Sequence, residues 1–161
     1  MGSIRRIAVT TGGGDAPGLN AVIRAIVLAA QERGWDVVGI RKGYEGLLDT
    51  SKIVTLDRDA VRGITHLGGT ILGTTNRGNP FEYPLRLPDG STSVADRSAE
   101  VVQNVRRLRI DGLIAIGGDG SMRIAHRLSS MGVPVVGVPK TIDNDLSGTV
   151  VTFGFDTAVG V

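Results

Sequence analysis

Residues 112–121, GLIAIGGDGS, join an apolar run to a polar, glycine-rich loop. The run from Gly112 to Ile116 contains only glycine and apolar residues, which predicts a fully buried strand of a parallel sheet. A helical pattern follows from Ser121 to Met131. A strand, a glycine-rich loop and a helix in this order are typical of the ligand-binding edge of an open α/β sheet.

Strand and helix patterns alternate along the rest of the chain. The predicted strands are Ile7–Thr10, Asp36–Ile40, Thr70–Leu72, Gly112–Ile116 and Val133–Val138. The predicted helices are Leu19–Arg33, Asp57 to about His66, one capped by Asp96 with Ala99, Val102, Val105 and Leu108 on one face, Ser121–Met131, and one that begins near Phe155. Residues 79–93 predict a loop or hairpin over the site. This alternation predicts an α/β fold with a doubly wound, mostly parallel, Rossmann-like sheet.

The composition narrows the possible functions. The chain has 161 residues, 41% apolar and 21% charged, as in an ordinary globular domain. Its 18 basic and 16 acidic residues are interspersed, so a nucleic-acid partner is not expected. The absence of Cys excludes disulfides and thiolate chemistry. No apolar run reaches the length of a membrane span, so we expect no membrane partner and a cytoplasmic location.

The loop from Gly117 to Ser121 has the features of a phosphate-binding loop. Consecutive glycines let backbone N–H groups point into one concavity, and the following helix adds the positive end of its dipole. A carboxylate held there, Asp119, is a candidate ligand for Mg²⁺ that bridges phosphate oxygens. The alternative is a simple turn in which Asp119 caps the helix.

A second polar loop, PKTIDND, occupies residues 139–145 after another predicted strand. Asp143 and Asp145 are separated by one residue, so in extended backbone their side chains point the same way, together with Thr141. A carboxylate in such a place can accept the proton of a hydroxyl that attacks phosphorus. The alternative is an Asx-turn network that only closes the loop. Lys140 would pair with these acids or reach a phosphate.

Two further loops lie after predicted strands. The loop TGGGDAPG, residues 11–18, opens a helix as a phosphate cradle does, but it lacks the Gly-x-Gly-x-x-Gly spacing and the Lys-Ser/Thr ending of a P-loop. Arg77 lies in a loop beyond the predicted strand Thr70–Leu72. Its guanidinium could neutralise charge on a transferred phosphoryl group, or it is simply solvated. His66 and His126 have no second ligand nearby and are expected at the surface.

These motifs resemble the amino-terminal half of the 6-phosphofructokinase family from about Arg5 onward. Residues 11–20 resemble the family's opening loop, residues 117–121 its nucleotide loop, and residues 139–145 its catalytic loop. The resemblance implies that Asp143 is the base toward the 1-hydroxyl of fructose 6-phosphate and that Arg77 stabilises the transferring phosphoryl group. It also implies that Thr141 is catalytic, that Thr141 and Asp145 help hold sugar phosphate and metal, and that Ile142 and Asp143 contact the substrate. The implied nucleotide and Mg²⁺ contacts are Gly14, Arg77, Gly118, Asp119, Gly120 and Ser121.

The resemblance leaves the phosphoryl donor to be decided. In this family a second Asp after the nucleotide-loop Asp accompanies pyrophosphate use, and Gly120 occupies that position here, which favours ATP. Lys140 occurs in pyrophosphate-using and in some ATP-using members. Alternatives are a pyrophosphate-dependent enzyme, a non-catalytic nucleotide-binding fragment, and an NAD- or lipid-kinase-like enzyme. The 139–145 loop argues against the last of these.

The resemblance also sets an expectation for domain organisation. Residues 1–161 are expected to form a truncated nucleotide-binding α/β domain of a two-domain enzyme, without its substrate domain. The fragment alone is expected to be inactive, because much of the fructose 6-phosphate pocket in the family comes from the second half. The full-length protein is expected to be a homo-oligomer, a dimer or tetramer.

Overall fold

The computed structural model describes residues 3–75, 77–143 and 148–160, and Ala158 only in its backbone. Within these residues the main sheet contains β1 (Arg6–Thr11), β2 (Asp36–Ile40), β3 (Ile53–Thr55), β6 (Gly112–Gly117) and β7 (Val135–Pro139). A separate hairpin is formed by β4 (Tyr83–Arg86) and β5 (Thr92–Ala95). The helices are α1 (Leu19–Glu32), α2 (Glu45–Leu48), α3 (Ser98–Arg107), α4 (Asp119–Ser130) and α5 (Phe155–Val159), with a 3₁₀ turn at Thr50–Lys52.

The sheet has the strand order β3-β2-β1-β6-β7. Strand β1 lies parallel to β2 and to β6, and β6 lies parallel to β7. Strand β3 pairs antiparallel with β2 at one edge. The predicted mostly parallel α/β sheet is therefore confirmed, and the short antiparallel edge strand β3 was not predicted from the sequence.

Apolar side chains cover both faces of the sheet because strand residues alternate between them. Ile7 and Val9 of β1 pack on one face against the buried side of α1. Ala8 of β1 packs on the other face, in a cluster with buried residues of α2, α3 and α4. The two layers hold the strands in register, so the ends of the central strands are fixed relative to one another.

The predicted helix from Asp57 to about His66 is wrong. The Asp57 carboxylate does accept a hydrogen bond from Ala60 N at 2.8 Å, as a helix cap would. The chain then runs through turns, and Gly63 has φ +72°. Val61 and Ile64 are buried, which explains the helix-like spacing of apolar residues. The Val61 carbonyl accepts a hydrogen bond from the side chain of Arg24 and not from a following helical turn.

The predicted strand Thr70–Leu72 is also wrong, because its main-chain groups bond to partners other than a neighbouring strand. Ile71 N donates to the side chain of Asn20, and Leu72 N donates to Thr70 Oγ1. The Leu72 carbonyl accepts from Lys42 N. Because these main-chain groups already have hydrogen-bond partners, the segment does not have to pair with a neighbouring strand.

Smaller differences concern element ends. Helix α3 begins at Ser98 and its N-cap is Arg97, so the predicted cap at Asp96 is one residue too early. Asp96 Oδ1 nevertheless accepts a 2.8 Å hydrogen bond from Ser98 N. Ala99 is exposed and does not belong to the buried face. The predicted hairpin within residues 79–93 is present as β4 and β5. In the described part of the chain, helices are all too short or too polar to cross a membrane.

Candidate active site

Three loops meet at one edge of the sheet because they follow three parallel neighbouring strands. The loop after β1 is joined to β6 by a 2.9 Å hydrogen bond from Gly12 N to the Ile116 carbonyl. The start of the loop after β7 is joined to β6 by a 2.9 Å bond from Lys140 N to the Gly117 carbonyl. The glycine-rich and acidic loops therefore lie at the same edge, as expected for ligand-binding loops of open α/β sheets.

A cleft of ≈ 580 Å³ opens at this edge. Gly12, Gly13 and the segment from Gly118 to Ser121 line it together with Arg77. Asn79 and Glu82, which lie just before the hairpin, line it as well. The structure thus brings Gly12 and Gly13, the nucleotide-loop candidate and Arg77 to one cavity, although they are far apart in the sequence. The predicted nucleotide contact Gly14 and the described turn 141–143 are not among the residues that line this cavity.

Glycine is required at two positions that face Ser121, a residue that lines the cleft. A Cβ atom on Gly117 would lie 2.6 Å from the side chain of Ser121, and one on Gly12 would collide with Ser121 Oγ. Gly120, in contrast, has no atom within 4 Å of a Cβ position. Helix α4 starts at this loop, so its N–H groups and the positive end of its dipole lie at the cleft. This arrangement suits phosphate groups.

Asp119 is the first residue of α4 and is not its cap, which is Gly118. Its carboxylate forms a 2.9 Å ion pair with Arg123 one turn later, and the two side chains are 62% and 78% exposed. In the described ranges, no three His, Cys, Asp or Glu side chains are placed to hold a metal by themselves. Mg²⁺ commonly binds one or two carboxylates and completes its shell with substrate phosphates and water. A single carboxylate therefore fits Mg²⁺ that arrives with a nucleotide.

The turn from Thr141 to Asp143 is bent, not extended. Asp143 N donates to Thr141 Oγ1 at 3.2 Å, and Ile142 and Asp143 are exposed. The predicted alternation of extended backbone therefore does not describe this turn, although Asp143 is accessible to a substrate. Asp145 lies outside the described residues. The Thr141 carbonyl accepts a 2.8 Å bond from Thr152, which ties the turn to the segment before α5.

Lys140 does not pair with the described acids of its own loop. Its Nζ donates to the carbonyl of Gly14 in the first loop, and the residue is 4% exposed. Burial lowers the pKa of the ammonium group, and the nearby charge of Asp15 partly opposes this effect. Lys140 therefore connects the first loop to the carboxyl end of β7.

Two features of the cleft were absent from the sequence analysis. Tyr44 lines the cleft and donates a 2.8 Å hydrogen bond to the Ser121 carbonyl. Arg127, on α4, also lines it and stacks over Phe81, with its guanidinium carbon 3.6 Å from the ring centroid. Arg127 lies on the predicted helix that follows the nucleotide loop, which could have indicated it, but Tyr44 follows no motif that points to the site.

Comparisons with known proteins identify relatives of nearly the whole chain. The sequence profile described as Phosphofructokinase matches residues 6–161. The chain is 52% identical over 157 residues to the ATP-dependent 6-phosphofructokinase of Chloroflexus aggregans, and it is 49% identical over 158 residues to the pyrophosphate–fructose 6-phosphate 1-phosphotransferase of Streptomyces coelicolor. These alignments cover 98% and 97% of the chain. The chain spans 43% and 42% of the lengths of these two relatives.

A solved structure supports the same relationship. The crystal structure of Pichia pastoris phosphofructokinase in the T-state superposes with a TM-score of 0.81 at 30% sequence identity. The match covers 96% of this chain and 17% of the yeast chain. Both the sequence and the fold of nearly the whole chain are thus similar to one part of larger proteins.

Proposed function

Since the chain belongs to the phosphofructokinase family, we propose that its full-length protein transfers the γ-phosphoryl group of MgATP to the 1-hydroxyl of fructose 6-phosphate, giving fructose 1,6-bisphosphate in glycolysis. In this proposal residues 1–161 form the nucleotide-binding α/β domain. The remainder of the fructose 6-phosphate pocket comes from sequence that lies outside this chain. The chain contributes the phosphate cradle and the catalytic turn.

One observation carries the proposal. The glycine-lined cleft at the start of α4 and the turn that contains Asp143 follow adjacent parallel strands and lie at the same sheet edge. A donor whose phosphates bind the cradle would be placed beside an acceptor hydroxyl at the turn. Phosphoryl transfer depends mainly on this positioning and on electrostatic stabilisation.

Each named residue has a role that fits its position. Asp143 is exposed and would accept the proton of the sugar hydroxyl as that oxygen attacks phosphorus. Arg77, which lines the cleft, would stabilise charge on the transferred group. Asp119 would hold Mg²⁺ after its ion pair with Arg123 opens. The metal would neutralise charge on the donor phosphates.

The donor is proposed to be ATP on the basis of Gly120. This residue lines the cleft, and its lack of a side chain leaves space for a phosphate of the nucleotide. A carboxylate at the same position would repel that phosphate. Pyrophosphate is the second candidate donor, which the name of the Streptomyces relative favours and with which Lys140 is compatible.

Coupled assays on the full-length protein test the proposal. ATP and pyrophosphate are compared as donors with fructose 6-phosphate, and we expect ATP to give the higher kcat/KM. The variant Asp143→Asn should lower kcat by about 10²- to 10⁴-fold, the contribution of a general base. Asp59→Asn is the matched control, because Asp59 is exposed and pairs only with Arg62 among the described residues.

The outcomes separate the candidate functions. If only pyrophosphate supports turnover, the donor is pyrophosphate and not ATP. Nucleotide binding without turnover of any sugar phosphate would indicate a non-catalytic module. Phosphorylation of NAD or a lipid headgroup in place of fructose 6-phosphate would contradict the acceptor. A loss of less than tenfold in Asp143→Asn would exclude Asp143 as the base.

A further inference from the structure

Lys140 is a buried charged residue beside the glycine-rich first loop, and the charge of Asp15 in that loop lies near its amine. Burial of the Lys140 ammonium group costs free energy unless the group is well paired. Among the described residues, its amine has no carboxylate partner within ion-pair distance. The hydrogen bond to the Gly14 carbonyl satisfies one of its three protons. A neutral side chain of similar length would fill this space at lower cost, so the amine needs a reason other than stability.

The position of Lys140 in the fold supplies that reason. Its main-chain N–H donates to Gly117 in the nucleotide loop, and its side chain donates to Gly14 in the first loop. A Cβ atom on Gly118 would lie 3.4 Å from the Lys140 carbonyl. One residue therefore contacts both the first loop and the nucleotide loop, and it directly precedes the turn that contains Asp143.

Other contacts hold the two ends of the first loop: the Thr11 hydroxyl bonds to Thr70 and to the Gly73 carbonyl, and Ala16 is buried. Gly12 and Gly13 donate main-chain hydrogen bonds to Ile116 and Thr75, at 2.9 Å and 3.4 Å. Gly13 has φ +79°, and Gly14 has no atom within 4 Å of a Cβ position, so side-chain packing does not fix this part of the loop. Among the described residues, the bond from Lys140 is the side-chain hydrogen bond to the Gly14 peptide.

We propose that Lys140 is a positioning residue that fixes the first loop against the nucleotide loop through its hydrogen bond to the Gly14 carbonyl. We call this bond the Lys140 latch. Only the expected change in kcat/KM rests on the proposed function, because the latch holds the first loop whether or not a donor is bound. In this role the amine keeps the cradle in one geometry and need not contact the donor.

Hydrogen–deuterium exchange on the full-length protein without nucleotide tests the latch directly. Lys140→Met removes the donor while keeping a side chain of similar length. We expect the peptide that covers residues 11–18 to exchange at least about tenfold faster in this variant, because the amides of a released loop open more often. The 19–32 peptide of α1 should be unchanged. Lys52→Met is the matched control, since Lys52 lies outside the cleft lining and pairs with Glu45 and Asp49.

A second variant and a kinetic measurement complete the test. Lys140→Gln keeps a neutral donor on a shorter side chain, so its exchange should lie between wild type and Lys140→Met. The kcat/KM for the preferred donor should fall by about 10- to 100-fold in Lys140→Met, because a misplaced cradle costs catalysis. The thermal unfolding midpoint of Lys140→Met should equal or exceed that of the wild type, because the variant removes a buried charge that costs free energy.

The result that overturns the latch is unchanged exchange of residues 11–18 in Lys140→Met. If activity nevertheless falls, the amine contacts the donor directly. If activity is also unchanged, Lys140 has no role at the site. If the wild-type protein shows no phosphofructokinase activity but the exchange difference is present, the proposed function fails while the latch stands.

Discussion

The phenol of Tyr44 donates a 2.8 Å hydrogen bond to the carbonyl of Ser121, and so connects the residue before α2 to the first turn of α4. The two residues are 77 positions apart in the sequence. Burial raises the pKa of the Tyr44 hydroxyl above its ordinary value, so the hydroxyl stays protonated and remains a donor. This bond supports the wall of the cleft from which the nucleotide-loop peptides project.

Replacing Tyr44 by Phe should therefore destabilise the protein by about 1 kcal/mol, the usual net value of one buried hydrogen bond. Chemical denaturation of the full-length protein measures this difference. Tyr83→Phe is the control, because its ring stacks with Arg97 and the ring is kept. Equal stability of Tyr44→Phe and wild type would show that the hydroxyl contributes nothing to the cleft wall.

Gly46→Ala should destabilise the protein even though alanine is the better helix former. Gly46 is buried in α2, and a Cβ atom there would lie 2.5 Å from the Arg41 carbonyl and 2.7 Å from Ile40 Cγ2. Overpacking of this kind costs about 1–3 kcal/mol. Gly68→Ala, at a site with no atom within 4 Å, should be nearly neutral. Urea denaturation compares the two variants, and a stabilised Gly46→Ala would contradict the packing at Arg41.

Gly120→Asp should impair ATP use without disturbing the fold. Space beside Gly120 accommodates the side chain, but the carboxylate would enter the cleft and repel the donor phosphates. We expect the KM for ATP to rise at least about tenfold, which is 1.4 kcal/mol of lost binding. Gly120→Asn has the same shape without the charge and should have a smaller effect. If both variants raise KM equally, crowding and not charge is responsible.

Because of Asp111, the stability of the folded protein should depend on pH in the acidic range. Its Oδ2 accepts hydrogen bonds from the main-chain N–H groups of Arg5 and Arg6 at 2.8 and 2.9 Å, and these bonds lower the pKa of the carboxyl group. A lowered pKa in the folded state stabilises the protein above the unfolded pKa, near 3.9, and this contribution is lost as the pH falls through the folded pKa.

The measurement for Asp111 compares thermal midpoints of wild type and Asp111→Asn across pH. The variant should have the lower midpoint at pH 7, and the gap should narrow as the pH falls below about 4. A gap that stays constant with pH would mean that the carboxylate charge does not stabilise the start of β1.

The elements that the sequence predicted are those with a local and repeated signal. The strands β1, β2, β6 and β7 are apolar runs bounded by loops, and α1 and α4 show helical spacing. The two wrong elements had a comparable pattern, but side chains from elsewhere satisfy their main-chain groups. Asn20 binds Ile71 N, and Arg24 binds the Val61 carbonyl, which the local sequence cannot indicate.

Part of the candidate site could also be predicted from the sequence. The meeting of the Gly117–Ser121 and Thr141–Asp143 loops at one edge follows from the parallel order of β6 and β7, so the sequence predicted it. The ion pair of Asp119 with Arg123 has i, i+4 spacing on one helix and was open to prediction from the sequence. The roles of these residues in catalysis remain predictions.

The sequence alone determined the alternation of strands and helices, and thereby the edge at which glycine-rich and acidic loops gather, because periodicity and strand polarity are properties of neighbouring residues. Only the tertiary structure decided which groups close the site. The partner of Lys140 is a carbonyl 126 residues away, and that of Tyr44 is 77 residues away. Such contacts form because packing of helices on both sheet faces brings distant peptides together, and no local pattern records them.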